Sequence, residues 1–316
     1  MNTLPLVQPD LLKWLEAMPA ETWDASIVPL RRAQMIEMAR SGKPPLREDV
    51  CEESRYVPGP TGAPAVRVLI VRPRKLAVAA PAILHMHDGG FVAGLPEYSR
   101  TTIAGFAGEL GAVVVSVDYR LAPETRFPGA LEDCYAVLAW LVGHAAALGI
   151  DPARIAVSGE SAGGGLAAGL SLLARDRREY RIAFQHLVFP GLDDRTALRK
   201  DLSPLVGEFI WTNASNHFAW SALLGKPPGG PDVSPYAAPA RATDLSGLPP
   251  ACIAVGALDL FVEENVDYAR RLIGAGVPCE LHVYAGAPHG FLMAWRAATS
   301  QACTRDSQAA LRRALL

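Results

Sequence analysis

Gly159-Glu160-Ser161-Ala162-Gly163 follows a short apolar run, Arg154–Val157, and precedes a stretch of small residues from Gly164 to Leu173. A G-x-S-x-G segment between a strand and a helix holds its serine on a sharp turn with the hydroxyl exposed, ready for nucleophilic attack on an acyl carbon. The turn needs glycines because a side chain two residues to either side would collide with neighbouring backbone. The helix that follows offers free amides and its positive dipole end where negative charge develops in acyl transfer. A rival pattern, Gly163-x-Gly165-x-x-Ala168, matches a dinucleotide-binding loop only formally, since it falls inside the helix rather than straight after the strand.

A serine nucleophile requires a base and an acid to orient it. Both follow in order. The run Ala251–Val255 leads through Gly256-Ala257-Leu258 to Asp259, and Glu280–Tyr284 leads through Ala285-Gly286-Ala287-Pro288 to His289. Each therefore sits on a loop at the carboxyl end of a strand, where open α/β sheets assemble their sites. The remaining histidines fit less well: His85, His186 and His282 fall within strands, His144 on a helix and His217 in an irregular region. Glu263, Glu264 and Asp267 open a helix and read as dipole-favoured or solvated acids. Upstream, Ala82–Met86 runs into His87-Asp88-Gly89-Gly90-Phe91, a glycine turn whose amides at Gly89 and Gly90, with that of Ala162, are expected to bind an oxyanion. His87 reads as a residue that fixes this turn by a side-chain hydrogen bond.

The elements that must position these residues are legible as an alternation. Runs at Val66–Val71, Ala82–Met86, Ala112–Val117, Arg154–Val157, Phe184–Phe189, Ala251–Val255 and Glu280–Tyr284 are mostly too apolar to be half exposed, and read as central strands. Helical stretches at about Tyr98–Leu110, Pro128–Leu148, Ser161–Arg177, Val262–Ala275 and Cys303–Leu316 separate or follow them. This predicts an α/β fold around a mostly parallel sheet covered on both faces. Residues 1–50 are expected to form an N-terminal helical segment and 51–316 the main domain, interrupted by an insertion over about 195–248 rich in Pro, Gly and aromatics. Both interruptions are expected to build a cap.

Composition narrows the function classes. Half of the 316 residues are hydrophobic and a fifth are charged, with a net charge of −2 and no dense Lys/Arg block, so nucleic-acid and anionic-membrane binding lack an electrostatic footprint. The five cysteines, Cys51, Cys134, Cys252, Cys279 and Cys303, have no CxxC spacing, which points to buried reduced thiols rather than a metal site or a disulfide framework. The first residues show no basic stretch before an apolar run, and no later run reaches the roughly 18 apolar residues of a bilayer span, so a cytoplasmic location is expected.

Beyond these motifs, Asp118-Tyr119-Arg120-Leu121-Ala122-Pro123-Glu124, followed by Phe127-Pro128, is similar to the YRLAPE stretch of the bacterial hormone-sensitive-lipase-like carboxylesterases, an α/β-hydrolase-fold family. The resemblance extends from about Val66 to Phe291 and takes in Val233-Ser234-Pro235-Tyr236 and Pro288-His289-Gly290-Phe291. It implies hydrolysis of short to medium acyl esters with water as the second reactant and without cofactor or metal. It also implies Ser161 as nucleophile, His289 as base, Asp259 as orienting acid, and Gly89, Gly90 and Ala162 as oxyanion donors. A helical cap and a homodimer paired through the last sheet strand are further implications. Phe91, Phe209, Trp211 and Leu260 are expected near the substrate, with Trp14, Met18, Phe218 and Trp220 as further possible walls.

Three positions depart from the family pattern. Asp88 stands where the family has the first glycine of HGGG, Glu160 replaces a common Asp, and Leu260 replaces a frequent Pro. A carboxylate beside an oxyanion opposes developing negative charge in a low-dielectric site. Asp88 is therefore expected to turn away and accept local hydrogen bonds, holding the loop; the alternative is selection of polar or cationic substrates. Amide, lactone or carbamate hydrolysis would use the same residues, and a non-catalytic receptor on this scaffold would be expected to have lost the histidine.

Overall fold

A computed structural model describes residues 2–18, 21–41 and 46–316. Eight strands, β1 (Val50–Val57), β2 (Val66–Pro73), β3 (Ala80–Met86), β4 (Val113–Asp118), β5 (Ile150–Glu160), β6 (Phe184–Val188), β7 (Ala251–Gly256) and β8 (Cys279–Tyr284), form one sheet in the order β1-β2-β4-β3-β5-β6-β7-β8. The β1/β2 and β2/β4 pairs are antiparallel; every pair from β4 to β8 is parallel.

The helices are α1 (Pro9–Glu16), α2 (Val28–Ser41), α3 (Arg100–Leu110), α4 (Gly129–Gly143), α5 (Ala145–Leu148), α6 (Ala162–Arg177), α7 (Asn213–Leu224), α8 (Val262–Gly274) and α9 (Ala298–Leu315). Because neighbouring strand residues point to opposite faces, Leu84 and Met86 belong to one apolar cluster that also takes in Leu138 of α4, Leu166 of α6 and Tyr268 of α8, while Ile83 belongs to another with Ile103 and Phe106 of α3 and Leu311 of α9. Both faces are thus covered, and every residue of β3 and β7 is buried, as central parallel strands require.

Several expected elements change. Strand β1 was not legible because Val50-Cys51-Glu52-Glu53-Ser54-Arg55-Tyr56-Val57 carries mostly polar side chains, which an edge strand paired on one side tolerates. The stretch Glu280–Tyr284 also lies at an edge rather than in the centre, with Glu280, His282 and Tyr284 only partly covered. The stretch Pro128–Leu148 is two helices divided at His144, β5 begins before Arg154, and the last helix starts at Ala298 rather than Cys303. Of the cysteines, Cys51 and Cys279 are half-buried while Cys134, Cys252 and Cys303 are buried, all as free thiols.

The region 1–50 holds α1 and α2, but residues 1, 19–20 and 42–45 lie outside the described residues. No helix among the described residues is long and apolar enough to cross a membrane.

Candidate active site

Ser161 sits between β5 and α6 with φ 54° and ψ −119°, a left-handed backbone that a side-chain-bearing residue adopts only under constraint. The constraint is visible in its bonds: the Ser161 amide donates to Val188 O at 2.9 Å, and the Ser161 carbonyl accepts from Gly165 N at 3.0 Å and Gly191 N at 3.1 Å. Gly163 is obligatory, since a Cβ there would lie 2.1 Å from Met86 O of β3.

The Ser161 hydroxyl lies 2.9 Å from His289 Nε2, and His289 Nδ1 donates to Asp259 Oδ2 at 2.8 Å. The second Asp259 oxygen accepts from Phe261 N at 2.9 Å. With Nδ1 committed as the donor, Nε2 carries the lone pair that faces the serine. Asp259 is fully buried, and Ser161 and His289 are each 5% exposed. The His289 ring is held by Phe189 and Phe261, both edge-on at centroid distances of 4.9 and 5.2 Å. The loops that carry Asp259 and His289 touch through Leu258 N to Ala287 O, 3.0 Å, an approach open only because residue 256 is glycine: a Cβ there would meet Ala287 O at 2.1 Å.

After β3 the chain turns through Gly89 and Gly90, with φ of 120° and 61°, and their amides donate to no acceptor among the described residues. His87 props the turn. Its Nδ1 donates to Asp88 O at 2.7 Å, its carbonyl accepts from Tyr119 Oη at 2.8 Å, and its ring stacks on Tyr119 at 4.2 Å. Burial pushes His87 down to about 4, so the ring is neutral.

Asp88 does not turn away into local side-chain bonds. Its Oδ1 is buried without a hydrogen-bond partner, and the residue lines the same cavity as Ser161 and His289. Burial, reinforced by the nearby Glu160 charge, raises the Asp88 carboxyl to about 6.

Glu160 lies behind the serine, where its Oε2 meets His85 Nε2 at 2.8 Å while His85 Nδ1 meets Ser116 Oγ at 2.9 Å. Burial raises the Glu160 carboxyl, but the attraction and hydrogen bond of His85 outweigh it, leaving it below its ordinary value. Glu264, expected to be a helix-start or solvated acid, is buried and accepts from Leu192 N at 2.6 Å and Asp193 N at 3.3 Å, tying down the loop that follows Gly191. Glu263 and Asp267 pair with Arg199 and Arg270 at the surface.

A cavity of about 180 Å3 opens over the serine, lined by Asp88, Gly89, Gly90, Tyr98, Phe189, Ile210 and Trp211, and by Met18, Glu21, Trp23, Arg31, Met35 and Met38 from the N-terminal segment. Of the expected walls, Met18 and Trp211 are present. Phe91 instead packs against Trp220 at 5.3 Å and over Gly165, Leu260 lies under Gly207, and Phe209 joins the apolar cluster around Phe291. Trp23, Tyr98 and the α2 methionines carry no motif, and only the tertiary fold brings them here.

Arg32 of α2 pins this segment to the body, its guanidinium donating to Val92 O at 2.6 Å and Ala122 O at 2.7 Å and pairing with Glu124 at 2.8 Å. Trp23 N donates to Ser215 Oγ of α7 at 2.9 Å, joining the N-terminal segment to the insertion. As for metal, Cys252 Sγ, a Glu280 oxygen and a His282 nitrogen lie within 4.8 Å of one another on β7 and β8, but Glu280 already pairs with His282 and Arg313.

Residues 83–293 match the model of a family with the α/β-hydrolase fold. The chain belongs to that family. Within it, the chain is 34% identical to the esterase LipI of Mycobacterium tuberculosis over 292 residues, covering 91% of this chain and 88% of that one. It is also 34% identical to the carboxylesterase NlhH of the same species, covering 98% and 97%. Among solved structures, a bacterial heroin esterase superposes with a TM-score of 0.93 at 40% identity, covering all of both chains. This α/β-hydrolase is thus a bacterial hormone-sensitive-lipase-like carboxylesterase by family, and a carboxylic ester hydrolase by class.

Proposed function

We propose that this α/β-hydrolase cleaves carboxylic esters of short to medium acyl chain through an acyl-enzyme. Ser161 attacks the ester carbonyl while His289 takes its proton at Nε2; the tetrahedral oxyanion is held by the amides of Gly89, Gly90 and Ala162; the alcohol leaves with the proton from His289. Water then repeats the sequence on the acyl-enzyme and frees Ser161. Asp259 keeps the imidazole in the tautomer that faces the serine.

The single observation that carries this reading is the buried chain from Ser161 Oγ through His289 to Asp259, at 2.9 and 2.8 Å. The small cavity supports short acyl groups, being below the several hundred Å3 usual for drug-sized ligands. In the same reading the N-terminal segment and the 195–248 insertion form a cap over the cavity, the enzyme is cytoplasmic, and edge strand β8 pairs two copies. Rates on p-nitrophenyl esters from C2 to C16, beside Ser161→Ala, test it: a maximum between C2 and C8 that vanishes in the variant is expected, and full activity in the variant would overturn the assignment. Labelling by a fluorophosphonate should likewise require Ser161.

A further inference from the structure

The cavity holds a carboxylate with no use in the mechanism above. Glu21 is neutralised by Arg31, which also donates to Gln34 at 2.9 Å. Asp88 has no such cationic partner: its Oδ1 is buried without a hydrogen bond, the carboxylate draws only on its own backbone amide, and the residue faces the space above Ser161. An ionised carboxylate so placed costs several kcal/mol unless something positive meets it. It also stands in the loop whose amides must stabilise an oxyanion, where its charge slows the attack on a neutral ester.

The rest of the wall fits a particular kind of positive group. Trp23 and Trp211 stand 6.0 Å apart at 60° to one another, Trp211 lies against Gly90, and Tyr98 faces the same space. Aromatic faces beside a lone carboxylate attract an alkylated ammonium, whose diffuse charge is held by ring quadrupoles and whose methyl groups pack on apolar walls. Methionines Met18, Met35 and Met38 supply such walls. A metal ion or a free lysine-like amine would instead demand several oxygen ligands or hydrogen-bond acceptors.

Resting on the ester-hydrolase reading, we propose that the substrates are esters carrying a tertiary or quaternary ammonium, held by Asp88 against the faces of Trp23, Trp211 and Tyr98. The cation then does two things: it neutralises Asp88, which would otherwise oppose the oxyanion, and it adds binding energy from a part of the substrate remote from the bond being cleaved. Other groups facing Asp88 are His289, His85 and Glu160. None of them provides a permanent positive charge.

The test uses pairs of esters that differ only in nitrogen against carbon: butyrylcholine against 3,3-dimethylbutyl butyrate, and ethyl trimethylammonioacetate against ethyl 3,3-dimethylbutanoate, each rate divided by that ester's rate with hydroxide. In at least one pair the wild-type enzyme should favour the cation in kcat/KM by about 10- to 50-fold, the size expected of a desolvated cation–π contact beside a carboxylate. Asp88→Asn, which keeps the side-chain shape and removes the charge, should bring that ratio to within about threefold of one. Equal corrected rates in both pairs for the wild type overturn the proposal whether or not the variant folds, as does a ratio that survives Asp88→Asn. Hydrolysis of the neutral esters with no cation preference leaves the ester-hydrolase reading standing, whereas turnover of none of the four esters, nor of any p-nitrophenyl ester, would sink that reading itself.

Discussion

Asp259, on the loop after β7, and Asp88, on the loop after β3, are two carboxylates of one site with opposite surroundings. Asp259 is fully buried and both its oxygens are met, one by His289 Nδ1 and one by Phe261 N. Asp88 has a buried oxygen that nothing meets. The difference teaches how the fold allots roles: a charge supplied with donors can be sealed in and used to hold another side chain, while a charge left without them is available to whatever enters the cavity.

That comparison can be broken experimentally, and the largest effect is expected on the paired side. Asp259→Asn should lower kcat on a p-nitrophenyl ester by about 10⁴, because an amide that donates to His289 Nδ1 puts the imidazole in the wrong tautomer. A loss of tenfold or less would mean that the short bonds to Asp259 do not matter.

Next comes acid stability, where the unmet loop groups act in opposite senses. Burial holds His87 at about 4 against 6.5 in the unfolded chain, so the unfolded state takes up its proton first. Stability is complete above pH 6.5 and falls as pH drops towards 4, by roughly 3 kcal/mol at the limit. Asp88, raised from 3.8 to about 6, works the other way: its burial penalty is present above pH 6 and disappears as pH falls towards 3.8. Urea unfolding between pH 8 and 4 should therefore show a steeper acid loss in Asp88→Asn than in the wild type. Parallel curves would show that the two groups do not offset one another.

The same variant should be more stable than the wild type at pH 8 by about 2 kcal/mol, since removing an unmet buried charge relieves its desolvation. A destabilised Asp88→Asn would mean that the carboxylate has a partner in solution and that the contrast with Asp259 is false. The smallest effect belongs to the loop's shape. In Gly90→Ala the new Cβ lies 2.4 Å from Trp211 Cη2 at a φ of 61° that strains any side chain, so the ring must move, and kcat/KM should fall by about tenfold with a modest drop in melting temperature.

How much of this was legible depends on how local each feature is. Gly159, Ser161 and Gly163 announce themselves because a strained strand-to-helix turn tolerates so few residues, and Asp259 and His289 follow because strand ends are marked by the step from apolar runs to glycine. Strand β1 and the edge position of β8 were hidden, since a strand paired on one side has no need of a continuous apolar run. Glu264 looked like a helix-start acid, and its burial beneath Leu192 depends on a loop more than sixty residues away. Phe91 and Leu260 looked like cavity walls because they neighbour site residues in sequence, yet their side chains pack into the body.

The sequence by itself determined the fold class, most of the order of strand and helix, and the candidates for nucleophile, base, acid and oxyanion donors, because each depends on a short pattern and on the side to which a strand delivers its loop. The tertiary structure alone decided which side chains line the cavity and which charges there are met. Trp23, Tyr98 and Arg31 reach the site from segments far from Ser161 in the chain, and whether Asp88 has a partner is a question about donors within about 3 Å, a distance that no spacing in the sequence encodes.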